Sequence, residues 1–133
     1  MRLLLYSFLF IGTLLSAQYQ RQQIQPNLLS TKIKIIDIRT PGEWKTTGIL
    51  KGSIPIMFFD EQGNYNVEAF LGELNKHVKK NEKFAIICNS GSRTQVVGGF
   101  LGNQMGYNVI DLQGGIQSAI GKKLPLVPYS PKR

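Results

Sequence analysis

The sequence predicts an α/β fold with a mostly parallel sheet, and three short apolar runs carry this prediction. They cover residues 32–38, 84–87 and 108–112, and each run leads into turn-forming residues followed by a segment suited to a helix. Strands that alternate with helices favour a parallel sheet covered on both faces. At 133 residues the chain is large enough for one domain with a modest core.

The remaining elements follow from hydrophobic spacing and turn residues. We predict a further strand at residues 54–58 and helices at residues 67–80, 94–105 and 116–121. Gly98, Gly99 and Gly102 lie inside the second of these helices, where each glycine costs roughly 1 kcal/mol against alanine. We expect these glycines to permit close packing on the sheet. His77 falls off the apolar stripe of the first helix and is predicted to be a surface residue.

Residues 1–17 differ in composition from the rest of the chain. Arg2 precedes a short apolar stretch, and small residues at Ser16 and Ala17 come before a polar segment. This pattern is typical of a secretory signal peptide cleaved near Ala17, the alternative being an uncleaved anchor helix. The sequence therefore predicts a periplasmic or secreted protein, with no stable membrane insertion of the mature chain. We predict a polar lead-in at residues 18–23, one domain at residues 24–127 and a basic tail at residues 128–133.

The charge of the chain excludes one class of partner and admits another. The formal net charge is +8, but no run of Lys or Arg is longer than a pair, so a nucleic-acid-binding stripe is not indicated. A basic balance suits small anionic substrates, but a solvated surface is the more common reason for it. The sequence contains no metal-ligand spacing, so we expect neither a metal site nor another cofactor.

The only cysteine, Cys88, directly follows the apolar run 84–87. A lone cysteine in that place is most often a small core residue. Here the polar loop that follows predicts that Cys88 faces a loop and not the core. A helix that begins at Arg93 or Thr94 would point unpaired N–H groups at the sulfur, which favours the reactive thiolate. We therefore predict that Cys88 is a nucleophile. The candidate binding residues of its loop are Asn89, Ser90, Gly91, Ser92 and Arg93.

Three stretches, including this loop, together resemble one family. The loop Cys-Asn-Ser-Gly-Ser-Arg-Thr of residues 88–94 is similar to the active-site loop of the single-domain rhodanese-like sulfurtransferases. Residues 35–44 with residues 48–55 resemble the family's early strand and following loop, and residues 106–116 resemble its last strand and glycine turn. The resemblance implies a rhodanese-like, mostly parallel five-stranded sheet in the order 1-5-4-2-3, with helices on both faces.

The resemblance also implies an activity. Cys88 would take a sulfane sulfur from a small anionic donor, thiosulfate or polysulfide, and pass it from a persulfide to a thiol or protein acceptor. Arg93 would help to neutralise the donor. Asp37 and Arg39 fall at the carboxyl end of the early strand, where ligands gather in open α/β sheets. We predict that this pair supports the surrounding loops, the alternative being a catalytic role.

Two other functions stay open. A carrier that holds sulfur on Cys88 without turnover would need the same residues. A cysteine-dependent phosphatase or arsenate reductase would also use a cysteine loop that ends in arginine. Four residues separate Cys88 from Arg93, whereas the resembling phosphatases have five. The shorter loop favours a single sulfur atom over a phosphoryl group.

Overall fold

Five parallel strands form the centre of the structure, a computed structural model that describes residues 18–131. The predicted signal peptide, residues 1–17, lies outside the described residues. The strands are β1 Tyr19–Gln23, β2 Ile35–Asp37, β3 Ile49–Leu50, β4 Ile54–Pro55, β5 Phe84–Ile87, β6 Val109–Gln113 and β7 Leu126–Val127. The α-helices are α1 Pro41–Thr47, α2 Val67–Leu74, α3 Ser92–Gly99 and α4 Gly115–Gly121. A 3₁₀ turn covers Leu28–Ser30, and a π-helical turn covers Phe100–Gln104.

The strand order of the central sheet is β1-β6-β5-β2-β4, and all four pairings are parallel. Numbered by their place in the chain, these five strands follow the order 1-5-4-2-3. The fold class and strand order expected from the resemblance are therefore confirmed. Strands β3 and β7 form a separate antiparallel pair beside this sheet.

Residues 18–23 belong to the sheet and do not form a polar lead-in. β1 pairs along its whole length with β6, from Tyr19 opposite Val109 to Gln23 opposite Gln113. No strand was predicted at residues 18–23, because these residues lack apolar alternation. An edge strand gains its backbone hydrogen bonds from one neighbour only, so its outer residues stay polar. The domain thus begins before the predicted boundary at residue 24.

Two buried clusters cover the two faces of the sheet. Alternate residues of one strand point to opposite faces, and accordingly Ile36 packs in one cluster while Ile35 packs in the other. The first cluster includes apolar residues of α2 and α3, such as Phe70 and Val97. The second includes Ile116 of α4. The helices therefore lie on both faces, as expected.

Two predicted helices differ from the observed ones. α2 ends at Leu74 and not at residue 80, because shorter i to i+3 hydrogen bonds follow at Lys76 and His77. α3 begins at Ser92 and gives way to the π-helical turn at Phe100, where Met105 N–H donates to the carbonyl five residues earlier. His77 is exposed, as predicted.

Two of the three glycines expected to allow close packing do so against β1. A β-carbon at Gly98 would collide with the ring of Tyr19, and one at Gly102 would lie 2.7 Å from the Tyr19 Cβ. Gly99 has no such neighbour, since the atom nearest to a β-carbon there would be Asn103 Nδ2 at 4.0 Å. Gly98 of α3 and Gly102 of the π-helical turn therefore let this helical segment approach β1. No helix of the described residues is both long and apolar enough to cross a membrane.

Candidate active site

The candidate site lies at the carboxyl ends of β2 and β5, at the edge of the sheet where ligands gather in open α/β folds. Cys88 directly follows β5, and Asp37 is the last residue of the neighbouring strand β2. Ile87 carbonyl accepts from Ile38 N–H at 3.0 Å, which holds the two strand ends side by side. The sheet thus brings together two stretches that lie 50 residues apart in the sequence.

The Cys88 side chain is fully buried, which corrects the prediction that it faces a loop and not the core. Its exposure is 0%, and it packs in the same cluster as Ile86 and Val97. Two polar groups nevertheless reach the sulfur: Gly91 N–H donates to Sγ at 3.2 Å, and Thr94 Oγ1 lies 3.6 Å away. Cys88 therefore sits between an apolar core and a polar loop, because its strand ends directly under that loop.

Gly91, whose N–H donates to the sulfur, adopts a left-handed conformation. Gly91 has φ of +102° immediately before α3, a conformation that favours glycine. A β-carbon there would also lie 3.1 Å from Gly114 N, so both backbone and space select glycine. Ser92 and Arg93 occupy the first turn of α3, where N–H groups lack intrahelical acceptors. The positive end of this helix is thus close to the sulfur.

The carbonyl groups at the start of the loop are held from the other side by α4. Cys88 carbonyl accepts from Ile116 N–H at 2.8 Å, and Asn89 carbonyl accepts from Gln117 N–H at 3.1 Å. A β-carbon on Gly115, which has φ of +60°, would collide with both carbonyl oxygens. The glycine turn before α4 therefore fixes the orientation of the cysteine loop.

Arg93 is bound to Glu43 of α1. Its two terminal nitrogens donate to the two carboxylate oxygens, each at 2.7 Å. These hydrogen bonds lower the pKa of Glu43 and raise that of Arg93. Glu43 Oε1 also accepts from Thr40 N–H at 3.3 Å, in the capping box that starts α1. The charge expected to face an anionic donor is thus already paired.

Asp37 and Arg39 form a buried ion pair, with both side chains at 0% exposure. Arg39 Nη2 donates to Asp37 Oδ2 at 2.8 Å and to Gly48 carbonyl at 2.9 Å, while Nη1 donates to Thr47 Oγ1 at 2.8 Å. Trp44 Nε1 donates to Asp37 Oδ1 at 3.0 Å. Through the contacts of both of its members, the ion pair joins the end of β2 to α1. Its supporting role stays a prediction.

A cavity of about 790 Å³ opens beside the cysteine loop. Its lining includes Asn89 and Arg93 of the loop and Glu43 of α1, together with Asp60 and Glu61 of the segment after β4. We call it the mouth cavity. Cys88 is not among its lining residues, so a substrate in the mouth cavity would meet the rim of the loop before it reached the sulfur.

The loop residues predicted from sequence do not all face one way. The backbone of Gly91 contacts the sulfur, whereas Asn89 and Arg93 line the mouth cavity. Ser90 and Ser92 are exposed. Their part in binding stays a prediction.

Sequence reasoning missed two residues of the site. Thr94 is fully buried, and its hydroxyl donates to Gly91 carbonyl at 3.1 Å as well as facing the sulfur. Its place in the first turn of the predicted helix was the available signal. Glu43 meets Arg93 only through the fold, 50 residues along the chain. Within residues 18–131, no group of three or more His, Cys, Asp or Glu side chains is placed to hold a metal ion.

Comparison with protein families assigns the chain. The model of the rhodanese-like domain matches residues 17–121, so the chain belongs to the rhodanese-like domain family. The match begins where the predicted signal peptide ends. No curated protein sequence matches the chain.

Solved structures agree with this assignment. A rhodanese-related protein from Thermoplasma volcanium is 29% identical, with a TM-score of 0.61, over 84% of this chain and 100% of that one. The polysulfide-sulfur transferase homodimer of Wolinella succinogenes is 17% identical, with a TM-score of 0.62, over 86% and 82% of the two chains. A possible tyrosine phosphatase from Rhodopseudomonas palustris is 23% identical, with a TM-score of 0.52, over 74% and 73%. The last two likenesses concern the fold alone.

Proposed function

We propose that the protein is an exported sulfurtransferase that moves a sulfane sulfur through a persulfide on Cys88. The observation that carries this proposal is the contact of Gly91 N–H with Cys88 Sγ at 3.2 Å, at the start of α3. A donor at this position can stabilise negative charge that develops on the sulfur during the reaction. Membership of the rhodanese-like family supports the sulfurtransferase class. The fold is also that of a polysulfide-sulfur transferase.

The first half-reaction loads the cysteine. The Cys88 thiolate attacks the outer sulfur of thiosulfate, the sulfur–sulfur bond of the donor breaks, and sulfite leaves with the bonding electron pair. A polysulfide would react in the same way and leave one sulfur shorter. Gly91 N–H is placed to donate to the sulfur anion, and the Thr94 hydroxyl can do so once it rotates away from Gly91 carbonyl. Neither step needs a metal or a redox cofactor.

The second half-reaction removes the transferred sulfur from Cys88. An acceptor thiolate attacks the outer sulfur of the persulfide, the bond between the two sulfurs breaks, and Cys88 leaves as a thiolate. The acceptor is thereby converted to a persulfide, and the protein returns to its starting state. A carrier would perform the loading step and release its sulfur only to one partner.

Mass spectrometry tests the nucleophile. Incubation with thiosulfate or polysulfide should add the mass of one sulfur atom, and Cys88→Ser should abolish the adduct. The serine hydroxyl would be buried, but Gly91 N–H and Thr94 Oγ1 remain as partners, so we expect the variant to fold. An adduct that persists in folded Cys88→Ser protein would remove this residue from the mechanism.

Arg93 can be tested with the same donor. We expect Arg93→Ala to lower kcat/KM for thiosulfate by about 1.5–3 kcal/mol in transition-state terms, the value of a charge-assisted hydrogen bond. Arg93→Lys should restore only part of the lost kcat/KM, because lysine lacks the planar guanidinium that binds an oxyanion through two nitrogens. Unchanged kinetics in Arg93→Ala would mean that this side chain only shapes the loop.

Loop length separates sulfur transfer from phosphate-ester chemistry. Four residues lie between Cys88 and Arg93, and the loop carries no His or Asp that could protonate an alkoxide leaving group. We therefore expect no hydrolysis of aryl phosphates by the purified protein. One glycine inserted between Ser90 and Ser92 should abolish sulfur loading. Cys88-dependent turnover of an aryl phosphate by the unmodified protein would assign it to the phosphatases instead.

Export is part of the proposal. The apolar segment of residues 1–17 supports it, as does the start of the family match at residue 17. Expression of the full chain should give a mature protein that begins near Gln18 in the periplasm or the medium. N-terminal sequencing that finds Met1 on protein from the cytoplasm would contradict it.

A further inference from the structure

Acidic residues are concentrated in one segment of this basic protein. Residues 52–75 contain half of the eight acids of the chain, namely Asp60, Glu61, Glu68 and Glu73, but none of its 16 Lys and Arg. The segment is bounded by Lys51 and Lys76. Only Glu73 forms an ion pair among the described residues, with Lys76. The segment is therefore a negative region on a molecule that is positive elsewhere.

The same segment exposes large apolar side chains. Tyr65 is 62% exposed and Met57 is 37% exposed, and both line a second cavity of about 490 Å³. Phe58 and Phe70 form the buried wall of this cavity, with the Tyr65 ring stacked on Phe58 at 5.6 Å between centroids. Exposed Tyr and Met over a buried aromatic base are typical of protein-binding surfaces. We call the surface around this cavity the acidic aromatic face.

The acidic aromatic face is rigid before any partner arrives. Phe59 and Tyr65 form an antiparallel bridge, and Asp60 Oδ1 accepts from Gln62 N–H at 3.0 Å and from Asn64 N–H at 2.8 Å. These bonds fix the hairpin that carries Tyr65. A preorganised surface loses less conformational entropy when it binds.

The acidic aromatic face is continuous with the mouth cavity. Asp60 lines both cavities, and its neighbours Phe59, Glu61 and Gly63 line the mouth. Glu61 Oε1 lies 3.3 Å from the position that a β-carbon on Gly42 would take, at the start of α1. A partner seated on the face would thus reach the rim of the cysteine loop.

The charges at the mouth disfavour small anions. Arg39 is paired with Asp37, and Arg93 is paired with Glu43, so both guanidinium charges are balanced. Asp60 and Glu61 have no ion-pair partner within residues 18–131, which leaves the mouth negative. Like charges lower the local concentration of an approaching anion, whereas a cationic partner is steered towards it.

We propose that the acidic aromatic face docks the sulfur acceptor, a protein whose reactive cysteine lies among Lys and Arg residues. The inference rests on the proposed function and names the substrate class of its second half-reaction. The acceptor thiolate attacks the outer sulfur of the Cys88 persulfide, and the Cys88 thiolate leaves. Charge complementarity selects a basic protein, and the exposed Tyr65 and Met57 supply the apolar contact.

The experiment follows the two half-reactions separately. The full mature protein is first loaded with thiosulfate or polysulfide, and the added sulfur is confirmed by mass. Failure to load would reject the proposed function and would be seen before any acceptor is added. The loaded protein is then mixed with one of two peptides of equal length that contain a single cysteine, flanked by Lys in one and by Glu in the other.

The loaded protein should pass its sulfur to the Lys peptide faster by roughly tenfold or more at low salt. The preference should vanish at about 1 M salt, where the Debye length is about 3 Å. Because the two cysteines differ in intrinsic reactivity, the rates are divided by those of the same peptides with a small-molecule persulfide. Equal normalised rates at low salt, or a preference for the Glu peptide, would overturn the proposal.

Glu61→Gln and Glu82→Gln change the net charge of the protein by the same amount, although Glu82 pairs with Lys34 at 3.2 Å and Glu61 has no ion-pair partner among the described residues. Both remove one exposed or half-exposed carboxylate, but Glu82 precedes β5 whereas Cys88 follows it, so Glu82 lies at the opposite edge of the sheet. Glu61→Gln should reduce the preference severalfold, Asp60→Asn/Glu61→Gln should reduce it further, and Glu82→Gln should leave it in place. An equal loss in Glu82→Gln would assign the preference to net charge and overturn the docking face.

A second copy of this basic chain is the other occupant to test. Sedimentation of the protein alone should give a monomer at the concentrations used for transfer. A dimer that dissociates in Asp60→Asn/Glu61→Gln would assign the face to self-association and overturn the proposal. Tyr65→Ser should raise the concentration of the Lys peptide needed for half-maximal transfer. An unchanged concentration would mean that the apolar contact of Tyr65 is not part of the docking proposal.

Discussion

Two hydrogen bonds join Arg93 to Glu43 across the mouth of the site, and both nitrogen–oxygen distances are 2.7 Å. Arg93 lies at the end of the cysteine loop, in the first turn of α3, and Glu43 belongs to α1, so these bonds join the loop to α1. A carboxylate presents to a guanidinium the same two oxygens that an oxyanion would. Glu43 thus occupies the fork that an anionic sulfur donor would use.

Glu43→Gln should therefore improve the use of anionic donors. The amide removes the competing negative charge but keeps an oxygen for the capping box with Thr40, in which Gln substitutes for Glu. We expect KM for thiosulfate to fall severalfold with little change in kcat, in steady-state assays of sulfite release. A rise in KM would instead show that Glu43 is needed to orient Arg93.

Acid should weaken the same pair. Hydrogen bonds from Arg93 lower the pKa of Glu43 in the folded protein. The ionised carboxylate therefore stabilises the fold above the unfolded pKa of about 4.3, and this contribution is lost as the pH falls through the lower folded value. The difference in free energy of unfolding between the parent and Glu43→Gln should shrink between about pH 6 and pH 3 in urea titrations. If the difference in free energy of unfolding did not change with pH, the ionisation of Glu43 would not be linked to folding.

Thr94→Val should slow the chemistry of the cysteine without unfolding the protein. Valine has nearly the same shape but lacks the hydroxyl that lies 3.6 Å from Cys88 Sγ. We expect slower alkylation of Cys88 by iodoacetamide, because the reacting sulfur loses a hydroxyl that can rotate towards it from Gly91 carbonyl. Thr31→Val is the control, since that hydroxyl donates to Leu28 carbonyl at the surface. Equal rates in the parent and Thr94→Val would exclude the hydroxyl as a donor.

The buried Asp37–Arg39 pair should matter greatly to stability. Arg39→Ala leaves the Asp37 carboxylate buried without its cation, which costs about 3–5 kcal/mol. Asp37→Asn/Arg39→Leu should lose less, because no uncompensated charge stays behind. Lys76→Ala breaks the exposed pair with Glu73 and should cost less than about 1 kcal/mol. Urea denaturation measures the free energy of unfolding of all three variants. A double variant that is less stable than Arg39→Ala would contradict the argument.

Two adjacent glycines should respond in opposite directions to alanine. Gly98→Ala would drive a methyl group into the Tyr19 ring and should destabilise by about 1–3 kcal/mol. Gly99→Ala meets no atom closer than 4.0 Å and should stabilise by about 0.5–1 kcal/mol through the helix preference of alanine. Thermal unfolding of the two variants tests the approach of α3 to β1. Similar midpoints would place β1 farther from the helix.

Local chemistry was enough to predict some features of the site. The apolar run 84–87, the polar loop and the following helix placed Cys88 at the carboxyl end of a strand, and the structure has the same order. The strand order came from the family resemblance, because short strands carry no record of their neighbours. The burial of Cys88 was mispredicted because a polar loop gives the direction of the chain but not of the preceding side chain.

Other features depend on contacts that are distant in the sequence. Glu43 belongs to the capping box of α1, but that motif does not indicate a contact with Arg93, and only the packing of α1 beside the cysteine loop brings the two together. β1 escaped prediction because its residues are polar and its pairing with β6 supplies most of its order. Both cases involve a residue or strand whose partner is encoded elsewhere in the chain.

The pairing of β1 with β6 also sets a constraint on biosynthesis. Tyr19 pairs with Val109, so β1 leaves the ribosome roughly 5–20 s before its partner at usual elongation rates. Throughout this interval an apolar strand would be free to aggregate with other nascent chains. The polar composition of β1, with three glutamines and an arginine after Tyr19, keeps the waiting strand soluble. The feature that hid this strand from prediction thus protects the chain while its sheet is incomplete.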